Sequence, residues 1–281
     1  MIEKTAQTGR WGQERRLEFI DFRLLWEGRL NRADITEFFR ISIPQASTDI
    51  AKYQEIAPNN MVYDRTQKAY ITTSNFKPYF VSLDSNRYLN ELLGRENGMI
   101  DSNYSFIGWA PPIASLPLPI RKVQPEVLIE IIRAIQNKQA LIVDYRSMTS
   151  EPNIRTIYPS AFAHDGHRWH IRAYCFKSGM FKDFVLGRFF SIIESVAHPE
   201  QVPLDIDWNT FIDVIIGPNP NYDANKKKSI EHDYQMINGE AKIQIRKAQL
   251  YYLKRRLHLS ENVGNPFDEN QQIIMLRIEQ S

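Results

Sequence analysis

The chain has 281 residues, 43% of them hydrophobic, with 35 lysines and arginines against 33 aspartates and glutamates, for a formal net charge of +2. That length supports two or three domains with their own cores, and the near-neutral balance neither requires nor forbids nucleic acid, so local charge must decide. No run approaches the roughly 18 apolar residues of a membrane helix, the opening "MIEKTAQTGRWGQERR" lacks a secretory apolar centre, and the single cysteine, Cys175, rules out an internal disulfide; a soluble cytoplasmic protein is expected.

Residues 1–75 read as three helices and a hairpin. In "ERRLEFIDFRLLWEG" Leu17, Ile20 and Leu24 fall at helical spacing and Gly28 is a stop signal. A second helix follows Asn31, a capping residue, with Asp34 in the first turn and Ile35, Phe38 and Phe39 facing inward. Pro44 suits the first turn of a third helix, "PQASTDIAKYQEIA", whose buried stripe is Ala46, Ile50 and Tyr53. Gln45, Thr48 and Lys52 then point outward, with Ser47 on the flank. "MVYDRTQKAYITT" is a hairpin with Arg65 and Lys68 near its tip. Together these elements make a winged helix-turn-helix DNA-binding domain. Gln45 suits an adenine edge, Ser47 and Thr48 a base or phosphate, Lys52 a phosphate, and Arg65 and Lys68 the backbone or minor groove. The bland alternative is a solvated helix in a winged-helix module that binds protein.

Residues 76–122 form a helical and proline-rich connector. "SNRYLNELLGREN" is a short helix with Leu89, Leu92 and Leu93 inward and Ser85 as its cap, while "WAPPIASLPLPIRK" cannot continue as helix. A domain boundary is expected near 115–122. From 123 to 202 a helix, with Val127, Leu128, Ile131, Ile132 and Ile135 as its apolar face, precedes the strand "ALIVDYR", a hairpin around Asp165-Gly166 and further strand in "FKDFVLGRFFSIIESVA". One helix and several short bent strands predict a small SH3-like (Sm-like) β-barrel. Residues 203–281 interleave three strands with "QLYYLKRRLHL", a helix with Leu250, Leu253 and Leu257 aligned, as a small α+β extension; Lys226, Lys227 and Lys228 read as a solvated loop. The fold class is thus α+β multidomain.

The stretch "HRWHIRAYC" is the most distinctive. Strand periodicity puts Trp169, Ile171, Ala173 and Cys175 on a core face and Arg168, His170, Arg172 and Tyr174 on the other. A metal would call on His164, His167 and His170, but the strand sends His167 and His170 to opposite faces, so no metal site is expected. Cys175 falls among core residues. The polar face remains open to three readings: solvent, an internal ion-pair network with Asp144, Asp183 or Glu194, or a cationic, aromatic-edged surface for an anion. Tyr145, Ser147, Arg155 and Arg188 are further candidates for that surface. A Gly-rich phosphate loop, a paired-carboxylate motif and a triad pattern are all missing, so neither an enzyme nor a cofactor is expected.

The order of these segments, with "RWHIRAYC" where a Trp-Tyr-Leu signature strand stands, resembles the WYL-domain transcriptional regulators. Only Trp169 matches that signature literally; His170 and Ile171 replace the other two. "RADITEFFRISIPQASTDIAKY" and "RWHIRAYC" followed by "FKDFVLGRF" resemble the dimeric repressors of BrxR/CapW type found beside phage-defence operons. The resemblance implies a homodimer on a palindromic double-stranded operator, with 203–281 in dimerisation, released when a nucleotide, oligonucleotide or other anionic effector binds the barrel. It carries over Tyr145, Ser147, His170, Arg172 and Arg188 as effector-binding residues, with Arg155, Arg168 and Tyr174 beside them. A second expectation, of a different class, is an RNA- or single-strand-binding or protein-interaction module without operator specificity.

Overall fold

The computed structural model describes residues 2–117, 119, 121–148, 153–197, 202–259 and 271–280, with residues 2–11 and 153 described by their backbone. The chain divides into two compact units, Met1–Leu118 and Pro119–Ser281.

In the first unit, α1 (Ile2–Glu27) starts well before the predicted amphipathic stretch and ends at Gly28, whose φ of +71° suits glycine. A two-residue strand, β1 (Arg29–Leu30), leads to α2 (Arg32–Phe39), where Asn31 and Asp34 close a reciprocal capping box. The third helix, α3 (Ile43–Ile56), is capped by Ser42 and has Pro44 in its first turn. Strands β2 (Met61–Asp64) and β3 (Ala69–Thr72) form the hairpin, and β1 joins it to give the order β1-β3-β2. The predicted stripes are buried: Leu17, Ile20 and Leu24 of α1, Ile35 of α2, and Ala46, Ile50 and Tyr53 of α3.

The connector is part of this core. After α4 (Ser85–Glu96), the chain returns to bury Phe106 and Ile107. Phe106 sits edge-on to Phe19, Phe22 and Phe38, with ring centroids 5.3, 5.8 and 5.5 Å away. Two expectations for α4 fail. Asp84 is its cap, accepting from Asn86 N–H at 2.9 Å, and Ser85 is already helical. Leu92 is buried, but Leu89 and Leu93 are exposed, because Tyr88, stacked on Trp26 at 4.7 Å, takes the inward stripe with Leu92.

In the second unit α5 (Pro125–Asn137) buries Val127, Ile131 and Ala134 and leaves Ile132 exposed, correcting the broader predicted face. It packs on a five-stranded antiparallel sheet of β4 (Ala140–Tyr145), β5 (Asn153–His164), β6 (Trp169–Cys175), β7 (Met180–Val185) and β8 (Phe189–Val196) in the order β7-β6-β5-β4-β8. Pro159 stands at a register shift in central β5, where a residue without an N–H is tolerated. The predicted barrel does not close. The three-residue turn Leu186–Arg188 redirects the chain so that β8 pairs with β4, and among the described residues the outer strands β7 and β8 do not pair.

The remainder contains the short helix α6 (Ile206–Asn209), β9 (Phe211–Pro218), α7 (Ala224–Asp233), β10 (Ala241–Arg246), α8 (Leu250–Arg256) and β11 (Ile273–Gln280), with an antiparallel sheet ordered β10-β9-β11. Its core is Ile212, Val214, Ile216, Ile230, Leu259 and Ile273, with Leu250, Leu253 and Leu257 packed against it. The three lysines 226–228 are helical, not loop: Asp223 caps α7 by accepting from Asn225 and Lys226 N–H, each at 2.9 Å, and Ile230 anchors it.

Candidate functional site

On α3, Thr48 and Lys52 are exposed and Gln45 and Ser47 half-buried. Gln45 Nε2 donates to Asp49 Oδ1 at 3.3 Å. Asp49 is fully buried and also receives Arg16 Nε at 2.6 Å and Gln13 Nε2 at 3.3 Å, so α1 sets the position of this face. Ser47 and Thr48 donate to the carbonyls of Ile43 and Pro44, at 2.9 and 3.0 Å, and keep their oxygens as acceptors. Lys52 pairs with Glu55 at 2.9 Å on the surface, a contact weak enough for a phosphate to replace. At the hairpin tip Arg65 and Lys68 are exposed. Asp64 orders that turn by accepting from Gln67 and Thr66 N–H, which hold its carboxyl below the usual range.

A cavity of about 770 Å³ opens on the polar face of β6 in the second unit. Tyr145, Ser147, Arg155, Arg168, His170, Arg172 and Arg188 all line it, together with Lys177, Lys182, Asp183, Tyr251 and Tyr252. Seven of the eight predicted effector residues are therefore brought together from three strands, β4, β5 and β6, and the loops and turn beside them. Tyr174 is not one of them: it lies two residues further along β6, edge-on to Phe176 and Phe181. Tyr145 is buried between Phe184 and Phe189, at 5.0 and 5.1 Å, and its hydroxyl accepts Val185 N–H at 3.0 Å, leaving its own hydrogen to donate.

The floor of the cavity is an ion-pair network, one of the readings the sequence left open. Arg172, 7% exposed, makes a bidentate pair with Asp205, Nε to Oδ2 at 2.6 Å and Nη2 to Oδ1 at 3.0 Å, and reaches Asp183 at 3.3 Å. Burial lowers the pKa of this guanidinium, but Asp205 and Asp183 outweigh it and raise the group above its ordinary value. Tyr252 donates to Asp183 at 3.0 Å; burial, then the adjacent Asp183 charge, push its phenol well up. His170, 2% exposed, has its ring 4.8 Å from that of Tyr252 and its Nε2 3.0 Å from Asp165 Oδ2. Burial raises the Asp165 carboxyl, yet His170 and the N–H groups of Arg168 and His167 hold it far below the usual range. Asp144, by contrast, pairs with Arg146 at 3.6 Å.

The core face differs at one end. Ile171, Ala173 and Cys175 are buried, but Trp169 is 52% exposed. It begins β6 beside the Asp165-Gly166 turn, with the rings of His164, 4.7 Å away, and Phe162, 6.5 Å away, against it. Sequence reasoning missed Asp165, Asp205, Tyr251 and Tyr252; only the "YY" before "LKRR" carried a signal. Among the described residues no group of three His, Cys, Asp or Glu is arranged for a metal ion.

A winged helix of this form, followed by a helix-backed five-stranded sheet with an arginine-lined polar face, defines a winged-helix protein with a WYL domain. Residues 12–94 match the BrxR transcriptional regulator winged helix-turn-helix domain, 126–193 the WYL domain, and 211–280 the BrxR transcriptional regulator C-terminal dimerization domain. The chain is 39% identical over 274 residues, 97% of its length and 92% of the relative's, to the DNA-binding transcriptional repressor CapW of Escherichia coli (strain KTE188). It is 40% identical to CapW of Pseudomonas aeruginosa (98% and 91% covered) and 38% identical to that of Stenotrophomonas maltophilia (96% and 91% covered). The chain belongs to the family of the BrxR transcriptional regulators and the CapW DNA-binding transcriptional repressors.

Proposed function

We propose that the protein is a homodimeric DNA-binding repressor of a phage-defence operon, acting in the cytoplasm without enzymatic activity, and released from a palindromic operator by an anionic ligand at the WYL domain. In this reading 1–75 carries the DNA contacts through Gln45, Ser47, Thr48, Lys52, Arg65 and Lys68, 123–202 senses, and 203–281 dimerises. The names of the relatives support repression and DNA binding, and the name of the C-terminal family model supports a dimer. Among the described residues no helix is long and apolar enough to cross a membrane.

The observation that carries the sensing half is the cavity's charge. Arg155, Arg168, Arg172, Arg188, Lys177 and Lys182 line it against Asp183 alone. Arg172 pairs with buried Asp205 and Arg168 with half-buried Asp165, and the surplus of cations over carboxylates in the lining suits an anion such as a nucleotide or oligonucleotide. Release requires that the effector bind the DNA-incompetent dimer more tightly, by roughly 3 kcal/mol or more for a clear switch.

The test is a gel shift of duplex from the gene's own upstream region against random duplex and single strand at matched salt. Preference for the upstream duplex is the expected result. Equal binding to all three would overturn operator recognition and favour the module that grips single strands or protein.

A further inference from the structure

A second cleft of about 330 Å³ lies between the Asp165-Gly166 turn and α8. Its walls carry five basic side chains, Arg121, His167, Arg168, Arg255 and Arg256, and one carboxylate, Asp165. That carboxylate is fully engaged: Oδ1 accepts His167 and Arg168 N–H, each at 2.8 Å, and Oδ2 lies 3.0 Å from His170 Nε2 and 3.2 Å from Arg168 Nε. Arg121 Nη2 lies 3.0 Å from His167 Nε2 on the wall facing α8. Arg255 and Arg256 have no carboxylate within ion-pair distance among the described residues.

Cations in the last turn of a helix are favourable with its dipole, and α8 ends in Lys254, Arg255 and Arg256. That explains their place in the sequence but not their convergence with Arg121 and His167 from the opposite wall. Nor does it explain Gly166. With φ of +88°, its α-carbon is approached so closely by Arg256 that an added Cβ would stand 2.0 Å from Nη1. Like charges gathered in this way repel, and an anion offsets the repulsion.

We propose that this cleft is an anion site for a phosphoryl group, held by the Arg255 and Arg256 guanidiniums with Arg121 opposite. Guanidinium forks match phosphate oxygens in pairs, and the exposed ring of Tyr251 on the same wall offers a face for a base attached to the phosphate. The site stands whether or not the larger cavity is the sensing site, although Arg168, Tyr251 and Tyr252 border both.

The test is calorimetric titration of the full-length protein with inorganic phosphate and with adenosine 5′-monophosphate. Wild type is expected to bind saturably, and R255Q/R256Q to bind at least about tenfold more weakly, with the change reduced at high salt. R155Q/R188Q, which alters only the larger cavity, is expected to keep the phosphate binding; loss of phosphate binding in that variant rather than in R255Q/R256Q overturns the site. Both arginines of α8 are exposed, so R255Q/R256Q should melt as wild type does, and R121Q provides a second variant from the other wall. Tighter binding of the nucleotide than of phosphate, lost in both Y251A and R255Q/R256Q, assigns a nucleotide as ligand of this cleft; equal binding of the two assigns the bare phosphoryl group. Absence of saturable binding, or equal binding by wild type and R255Q/R256Q, overturns the site.

Discussion

Arg172 on β6 and Asp205 at the start of α6 form a buried bidentate pair, tying the sheet that carries the cavity to the segment that leads into the β9 sheet. Asp205 also accepts Trp208 N–H at 3.1 Å, so one carboxylate both caps α6 and neutralises the arginine. Arg172 is therefore first a structural residue. Removing either partner strips a buried charge of its bidentate counterpart and leaves Arg172 only the longer contact to Asp183, or Asp205 only the Trp208 N–H, at a cost of up to roughly 3–5 kcal/mol. R172Q and D205N are each expected to lower the unfolding free energy, read from urea titration, by that order, while the apolar pair R172M/D205L recovers much of the loss. A double-variant loss equal to the sum of the two single losses would show that the pair is not coupled.

Asp165 and Tyr252 give the network opposite pH dependences. The folded chain holds Asp165 below its ordinary pKa, so its contribution is complete above the unfolded value of about 4 and is lost as pH falls through the folded one. Tyr252 is raised, so its contribution is complete below the unfolded phenol value of about 10 and is lost as pH rises through the folded one. Urea midpoints measured against pH should fall at both ends. D165N should flatten the acid limb and, by removing one charge that raises the phenol, slightly ease the alkaline one, whereas Y252F should flatten the alkaline limb.

Asp21 docks the connector onto the helix-turn-helix. It is fully buried; Oδ2 accepts Tyr79, Phe80 and Val81 N–H at 2.8, 2.7 and 3.0 Å, and Oδ1 accepts the Tyr53 hydroxyl of α3. In D21A four donors lose their acceptor, at about 1–3 kcal/mol each when they stay buried. Hydrogen exchange at residues 79–81 should rise by several orders of magnitude in that variant, and Y53F should produce a smaller change. Unchanged protection in D21A would refute the docking role.

If α3 reads DNA, K52A should weaken operator binding and lower the slope of log affinity against log salt by about one unit. Q45A should instead relax sequence preference at one position, and its effect should depend on Asp49, which holds the amide at 3.3 Å. Equal operator affinity of wild type and the Q45A/K52A double variant would exclude this face from the contact.

Local pattern was most legible where a helix or strand needs only its own residues. The Asn31 cap, the Pro44 start, the Gly28 stop and the stripes Leu17–Ile20–Leu24 and Ala46–Ile50–Tyr53 follow from spacing and backbone preference. Failures occurred where a distant segment supplied the environment. Leu89 and Leu93 have helical spacing, yet Trp26 chose Tyr88 for the inward stripe. Trp169 alternates with core residues but falls at the open end of the strand.

The sequence by itself determined the alternation along "HRWHIRAYC", and so which side chains share a face of β6, because a strand's side-chain period depends on nothing outside it. Only the tertiary structure decided what that face does. Asp165 and Asp183 reach it from neighbouring turns and strands, and Asp205 and Tyr252 from more than thirty residues away in the chain. Burial with those partners makes His170 and Arg172 part of the cavity floor, and Arg155, Arg188, Lys177 and Lys182 line the same cavity. A charge's role depends on what desolvates and pairs it, and that is set by long-range packing.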